Sequence, residues 1–199
     1  MVIKGVLFDF DGTLTRPGAL DFPAIKKALG CPLDQPILEF LDTQPPDLRA
    51  RLEKILEEEE DRAAEICRPN RGAEKCLSVL KERQIPMGIL TRSRLNPIRK
   101  ALERFKGITI DDFDAIVTRE MSLPKPHPEG VIRVAAEMGI SPEELLVVGD
   151  FRFDVISAKR AGAMAVLLTN GGESVMTPDD PQPDYTITRL EDLPALCPE

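Results

Sequence analysis

Short apolar runs that stop abruptly at polar residues constrain this chain most. "VIKGVLF" at 2 to 8 ends at Asp9, "IPMGILT" at 85 to 91 runs into Arg92, and "LLVVGD" at 145 to 150 closes on Asp150. "DAIVT" at 114 to 118 and "AMAVLLT" at 163 to 169 are of the same kind. Such runs read as strands buried on both faces, and buried strands need helices above and below them. Helical stripes lie between them: Ala73, Cys76, Leu77 and Leu80; Leu95, Ile98, Leu102 and Phe105; Val131, Val134, Ala135 and Met138, stopped by Gly139. Ser141 to Glu144 resembles a capping box, a helix follows over 154 to 161, and "PDYTITRLEDLPAL" supplies an edge segment and a terminal helix. Strand-helix alternation of this kind predicts an α/β fold, a three-layer Rossmann-like parallel sheet.

Residues 16 to 71 break the alternation. Their apolar positions keep helical spacing only: Phe22, Ile25 and Leu29; Ile37, Phe40 and Leu41; Leu48, Leu52, Ile55, Leu56, Ala63 and Ile66. The chain therefore divides into a core of 1–15 and 72–199 and a small helical segment, 16–71, inserted after the first strand. The run "EEEE" at 57 to 60 reads as a solvated helix face rather than a metal site.

A net charge of −8 makes nucleic acid an unsuitable general partner, so an anionic ligand has to be drawn by local chemistry. No apolar stretch approaches the ~20 residues that span a bilayer, and the first residues lack a secretory pattern. A cytoplasmic location without a membrane partner is expected. Cys31, Cys67, Cys76 and Cys197 are irregularly spaced, which favours reduced thiols over a zinc or redox centre.

In a parallel sheet, ligands bind beyond the carboxyl ends of the strands. That rule selects Asp9 and Asp11 after the first strand, Thr91, Arg92 and Ser93 after the second, and Asp150 with Asp154 after "LLVVG". Lys125 lies in the loop before a helix. Neighbouring carboxylates call for a hard divalent cation, and Mg2+ prefers oxygen ligands. Phosphoryl transfer uses the whole set. Mg2+ and Lys125 offset the repulsion between a carboxylate and a phosphate dianion, while Thr91 and amides of the Gly12 turn hold phosphate oxygens. Asp11 sits where a raised pKa would let it protonate the leaving group. His127, the one histidine, is assigned to loop or helix-entry structure.

"DFDGT" at 9 to 13, Thr91, Lys125 and "GDFRFD" at 149 to 154 together resemble, in order, the four motifs of the haloacid dehalogenase superfamily. The block at 16–71 resembles the small helical cap of its phosphoglycolate-phosphatase-like branch. The resemblance implies an aspartyl-phosphate on Asp9 and Mg2+ held by Asp9, the Asp11 carbonyl and Asp150, with Asp154 orienting the metal shell. It implies a phosphatase acting on a small phosphorylated metabolite, phosphoglycolate-like or a sugar phosphate. A phosphomutase and a non-catalytic phosphate-binding module are the alternatives. Two positions depart from the pattern: Arg92 stands where many relatives carry Asn, and Phe151 replaces a small hydroxyl residue. Gly12, Thr91, Arg92 and Lys125 are the expected phosphate contacts.

Overall fold

The computed structural model describes residues 2–197, so Met1 and residues 198–199 of the expected core lie outside what is described. Strands β1 (Gly5–Phe8), β2 (Met87–Leu90), β3 (Ala115–Val117), β4 (Leu145–Gly149), β5 (Met164–Leu168) and β6 (Tyr185–Ile187) form one sheet in the order β3-β2-β1-β4-β5-β6. Every neighbouring pair is parallel. The apolar runs fold this way because side chains alternate across the sheet and both faces are covered. Val6 and Phe8 pack into one core layer with α4 (Ala73–Glu82), α5 (Leu95–Leu102) and the 3-10 turns at Leu190–Leu196. Leu7 points the other way, into a layer built with α6 (Glu129–Met138) and α7 (Arg152–Ala161).

The sequence limits were generous at strand ends. The first strand begins at Gly5, not Val2, because its pairing with β4 starts where Gly5 stands opposite Leu145. Ser141 to Glu144 makes a single 3-10 turn in which the Ser141 N–H donates to the Glu144 carboxylate at 3.0 Å, and the terminal helix is likewise 3-10, with Pro194 inside it. Gly139 ends α6 in the left-handed conformation, as its position predicts.

Residues 16–71 hold three helices: α1 (Phe22–Leu29), α2 (Ile37–Asp42) and α3 (Pro46–Ile66). Asp21 caps α1 by accepting the Ala24 N–H at 3.1 Å. Ile25, Leu29, Cys31, Ile37, Leu41, Leu52 and Leu56 bury one another in a cluster separate from the two sheet layers. The connections into and out of this segment run side by side: Thr15 bridges Pro69, the Arg16 N–H donates to the Arg68 carbonyl at 2.9 Å, and the Asn70 N–H donates to that of Leu14 at 2.8 Å. α3 then lies along α5, where Arg104 Nε donates to the Ala64 carbonyl at 3.2 Å near the end of α3. None of the described helices is long and apolar enough to cross a membrane.

Candidate active site

The strand order reverses between β1 and β4, and the connections leaving those two strands diverge to open a crevice. β1 delivers Asp9 there, its N–H donating to the Val148 carbonyl at 2.9 Å. β4 delivers Asp150, and the first turn of α7 returns Asp154 beneath it. Two glycines make the approach possible. A Cβ on Gly12, whose φ is +89°, would stand 2.2 Å from Asp150 Oδ2, and one on Gly149 would stand 2.1 Å from Asp154 Cγ.

Lys125 joins these carboxylates. Its Nζ donates to Asp9 Oδ1 at 2.6 Å, Asp154 Oδ1 at 2.6 Å and the Leu90 carbonyl at 2.8 Å. Burial alone would favour the neutral amine, but Asp154 and Asp9 hold its pKa above the usual lysine value. The other Asp154 oxygen accepts the Phe151 N–H at 3.1 Å, so both of its oxygens are engaged by the protein. Asp150 is less engaged: among the described residues, the Thr13 hydroxyl donates to its side chain at a long 3.4 Å. Burial, then the charges of Asp9 and Asp154, raise its pKa. Asp9, Asp150 and Asp154 each place a ligand oxygen within 4.8 Å of the others. Hard oxygen donors carrying uncompensated negative charge fit a divalent cation such as Mg2+.

Asp11 faces elsewhere. Its Oδ2 accepts the Ser93 hydroxyl at 2.8 Å, in a space of about 10 Å3 walled by Phe10, Leu20, Ala63, Pro97 and Ile98. Burial first, and the Asp9 charge second, push its pKa up to about 7. A separate cleft of about 370 Å3 opens beside Asp150, lined by Pro17, Thr169, Asn170, Glu173 and Val175 among others.

Thr91 is buried at the end of β2, and its Oγ1 accepts the Ser93 N–H at 3.0 Å. Arg92, an expected phosphate contact, is engaged by other protein groups. Glu39 of α2 grips its guanidinium at 3.0 and 2.6 Å, the Lys125 carbonyl accepts from Nη1, and the Phe153 ring lies 5.1 Å beneath it. The acidic run also needs correction, because Glu60 is only 4% exposed and is not part of a solvated face. It accepts from Arg94 Nε at 3.1 Å and from Arg119 Nη1. His127 sits at the entry to α6 and accepts the Glu129 N–H at 3.2 Å, in keeping with a structural role.

Two asparagines escaped the sequence reading. Asn70 Nδ2 donates to the Thr13 carbonyl at 2.8 Å and to Asn170 Oδ1 at 2.9 Å; Asn170 Nδ2 donates to the Gly12 carbonyl at 2.9 Å. They fix the peptide planes of the turn after Asp11. Nothing in residue type or spacing marks them, since they lie 100 positions apart. Ser93 was placed by the sequence at the end of the second strand, beside Thr91, but its bond to Asp11 was not.

The chain belongs to the haloacid dehalogenase-like hydrolase family, whose model matches residues 15–168, beginning just beyond Asp9 and Asp11. It is 35% identical over 172 residues to an uncharacterized hydrolase of Saccharomyces cerevisiae, covering 84% of this chain and 78% of that protein. It is also 35% identical over 127 residues to a phosphoglycolate phosphatase of Escherichia coli, a match covering 60% of this chain and 48% of that one. In fold it is similar to a hydrolase from Pseudomonas syringae, with a TM-score of 0.79 and 22% identity over 96% of this chain and 95% of the other.

Proposed function

We propose that the protein is a Mg2+-dependent phosphatase that hydrolyses a small phosphate monoester through an aspartyl-phosphate on Asp9. The separate surroundings of Asp9 and Asp11 carry this reading: one carboxylate faces an ammonium, the other a hydroxyl and apolar walls. Asp9 attacks phosphorus, and the bond to the leaving oxygen breaks as Asp11 protonates that oxygen. Asp11, now ionised, takes a proton from the water that attacks the aspartyl-phosphate, releasing phosphate and restoring both groups. Lys125 Nζ fixes Asp9 Oδ1 at 2.6 Å and faces the incoming phosphate with positive charge. Thr91 and the amides of the Gly12 turn receive phosphate oxygens in this scheme, and the two asparagines, which bond the Gly12 and Thr13 carbonyls, support that turn.

Asp9, Asp150 and the Asp11 carbonyl would hold Mg2+, which supplies charge neutralisation between the nucleophile and the phosphate dianion. Asp154, with both oxygens engaged, orients Lys125 and the metal's surroundings. Residues 16–71 act as the cap, and residues 1–15 with 72–199 as the catalytic core. The similarity to a phosphoglycolate phosphatase supports a small phosphorylated metabolite as substrate. The open cleft beside Asp150 favours hydrolysis over a mutase, which has to keep water from its aspartyl-phosphate.

The test is turnover of an aryl phosphate by purified protein with Mg2+, with chelator, and in Asp9→Asn. Activity lost in both controls is expected. Equal turnover in the variant, or none in the parent with any of a panel of sugar phosphates and phosphoglycolate, overturns the proposal.

A further inference from the structure

The segment leaving β2 faces two ways. Ser93 reaches Asp11, while Arg92 and Arg94 face the helical insertion. The backbone bends at Arg92 and Ser93, and this one short stretch serves two structures at once. Arg94 meets α3 through Glu60 at 3.1 Å, the Glu57 carbonyl at 2.9 Å and Asp61 at 3.2 Å. Arg92 meets α2 through both oxygens of Glu39.

Arg92 also reaches back into the core. Its Nη1 donates to the carbonyl of Lys125, the residue whose Nζ lies between Asp9 and Asp154. Its guanidinium rests on Phe153, the neighbour of Asp154 in α7. A planar group that forks onto a carboxylate, bonds a carbonyl and stacks on a ring has little orientational freedom. A continuous chain of contacts therefore runs from α2 to the nucleophile: Glu39, Arg92, the Lys125 main chain, Lys125 Nζ, Asp9.

We propose that Arg92 is a positioning residue that makes the placement of Lys125 depend on Glu39, so that the ammonium is correctly set against Asp9 only while α2 is seated on the core. This rests on the phosphatase reading above, because it assigns Lys125 a part in the first chemical step. When α2 lifts, Arg92 loses the carboxylate that fixes it, and the Lys125 carbonyl loses a fixed donor. Phosphoryl transfer is thereby confined to the closed state without Arg92 touching phosphate.

The test is a double-mutant cycle on kcat with Arg92→Ala, Glu39→Gln and the pair, with Asp42→Asn as a control. Asp42 forms an ion pair with Arg49 at 2.9 Å at the end of the same helix. A misplaced catalytic group costs up to about a hundredfold, so Arg92→Ala should lower kcat by about ten- to a hundredfold with KM less affected. Glu39→Gln should lower it less, and the double variant no further than Arg92→Ala alone, because both act on one path. Asp42→Asn should leave kcat unchanged. Arg92→Lys, which keeps the charge but not the fork, should recover only part of the loss. Multiplicative losses in the cycle, an unchanged kcat in Arg92→Ala, or losses that merely follow the melting temperature would overturn the proposal. A parent that turns over substrate and loses it in Asp9→Asn upholds the phosphatase reading whatever the cycle gives. An inactive parent removes both.

Discussion

The crevice has two sides, and they treat the carboxylates of one short motif differently. On the β4 side, Asp9 shares a buried ammonium with Asp154 and stands beside Asp150. On the α3 side, Asp11 has a hydroxyl, hydrophobic walls and the buried Glu60 as neighbours. The first side supplies an ammonium to two of its carboxylates, and the second, among the described residues, supplies no cation in direct contact with Asp11, whose pKa burial raises to about 7. Two residues of one type, two positions apart, therefore meet different partners: Lys125 for Asp9, and Ser93 with apolar walls for Asp11, which is the division of surroundings the proposed nucleophile and acid need.

Removing the ammonium should have the largest effect on stability. Lys125→Met leaves Asp9 and Asp154 buried without their shared counter-charge, a loss of ~3–5 kcal/mol. Calorimetry without metal should show a melting temperature lower by roughly 10 °C, with partial recovery on adding Mg2+. A variant that melts like the parent breaks the contrast between the two sides.

Asp11→Asn should act in the opposite direction on stability and strongly on turnover. The folded-state pKa of Asp11, about 7, lies above the usual carboxylate value, so the folded chain holds this proton more tightly than the unfolded chain. Its contribution is fully present below about pH 4 and is lost as pH rises through about 7. In the absence of metal, the variant's stability relative to the parent should therefore grow between pH 4 and 8, on the order of a few kcal/mol. Turnover of alkyl phosphates should fall by about 10²–10⁴-fold, with a smaller fall for the formation of phosphoenzyme from an aryl phosphate, whose leaving group needs little protonation. A stability difference independent of pH, or equal losses on both substrate types, removes Asp11 from the role of acid.

The sheet was readable because its strands are buried on both faces and so are written as unbroken apolar runs; Phe8 and Val148 are fully covered. The rule that ligands gather at strand ends then selected Asp9, Asp150 and Thr91 without contacts being known. Glu60 was misread because its run sits on a helix whose other acidic residues are partly or fully exposed, and two distant arginines, Arg94 and Arg119, bury it. The direction of Arg92 was hidden for a related reason. Its position beside Thr91 was evident, but its direction depends on Glu39, 53 residues earlier. Local pattern encodes which backbone is buried; long-range pairing decides where a charged side chain points.

The smallest effect should come from Ser93→Ala, and it tests the α3 side most finely. The Ser93 hydroxyl donates to Asp11 at 2.8 Å and so favours the ionised carboxylate, opposing burial and the Asp9 charge. A hydrogen bond to a charged group contributes about 1.5–3 kcal/mol, and a pKa change of one unit corresponds to about 1.4 kcal/mol. Losing it should move the alkaline limb of the pH–rate profile for an alkyl phosphate upward by about one unit, because protonated Asp11 persists to higher pH. The same substitution should leave that limb unmoved for an aryl phosphate, where protonation of the leaving group is not limiting. Movement to lower pH would mean that the hydroxyl accepts from a protonated Asp11 rather than donating to an ionised one, and the two sides of the crevice would differ in charge alone and not in hydrogen bonding.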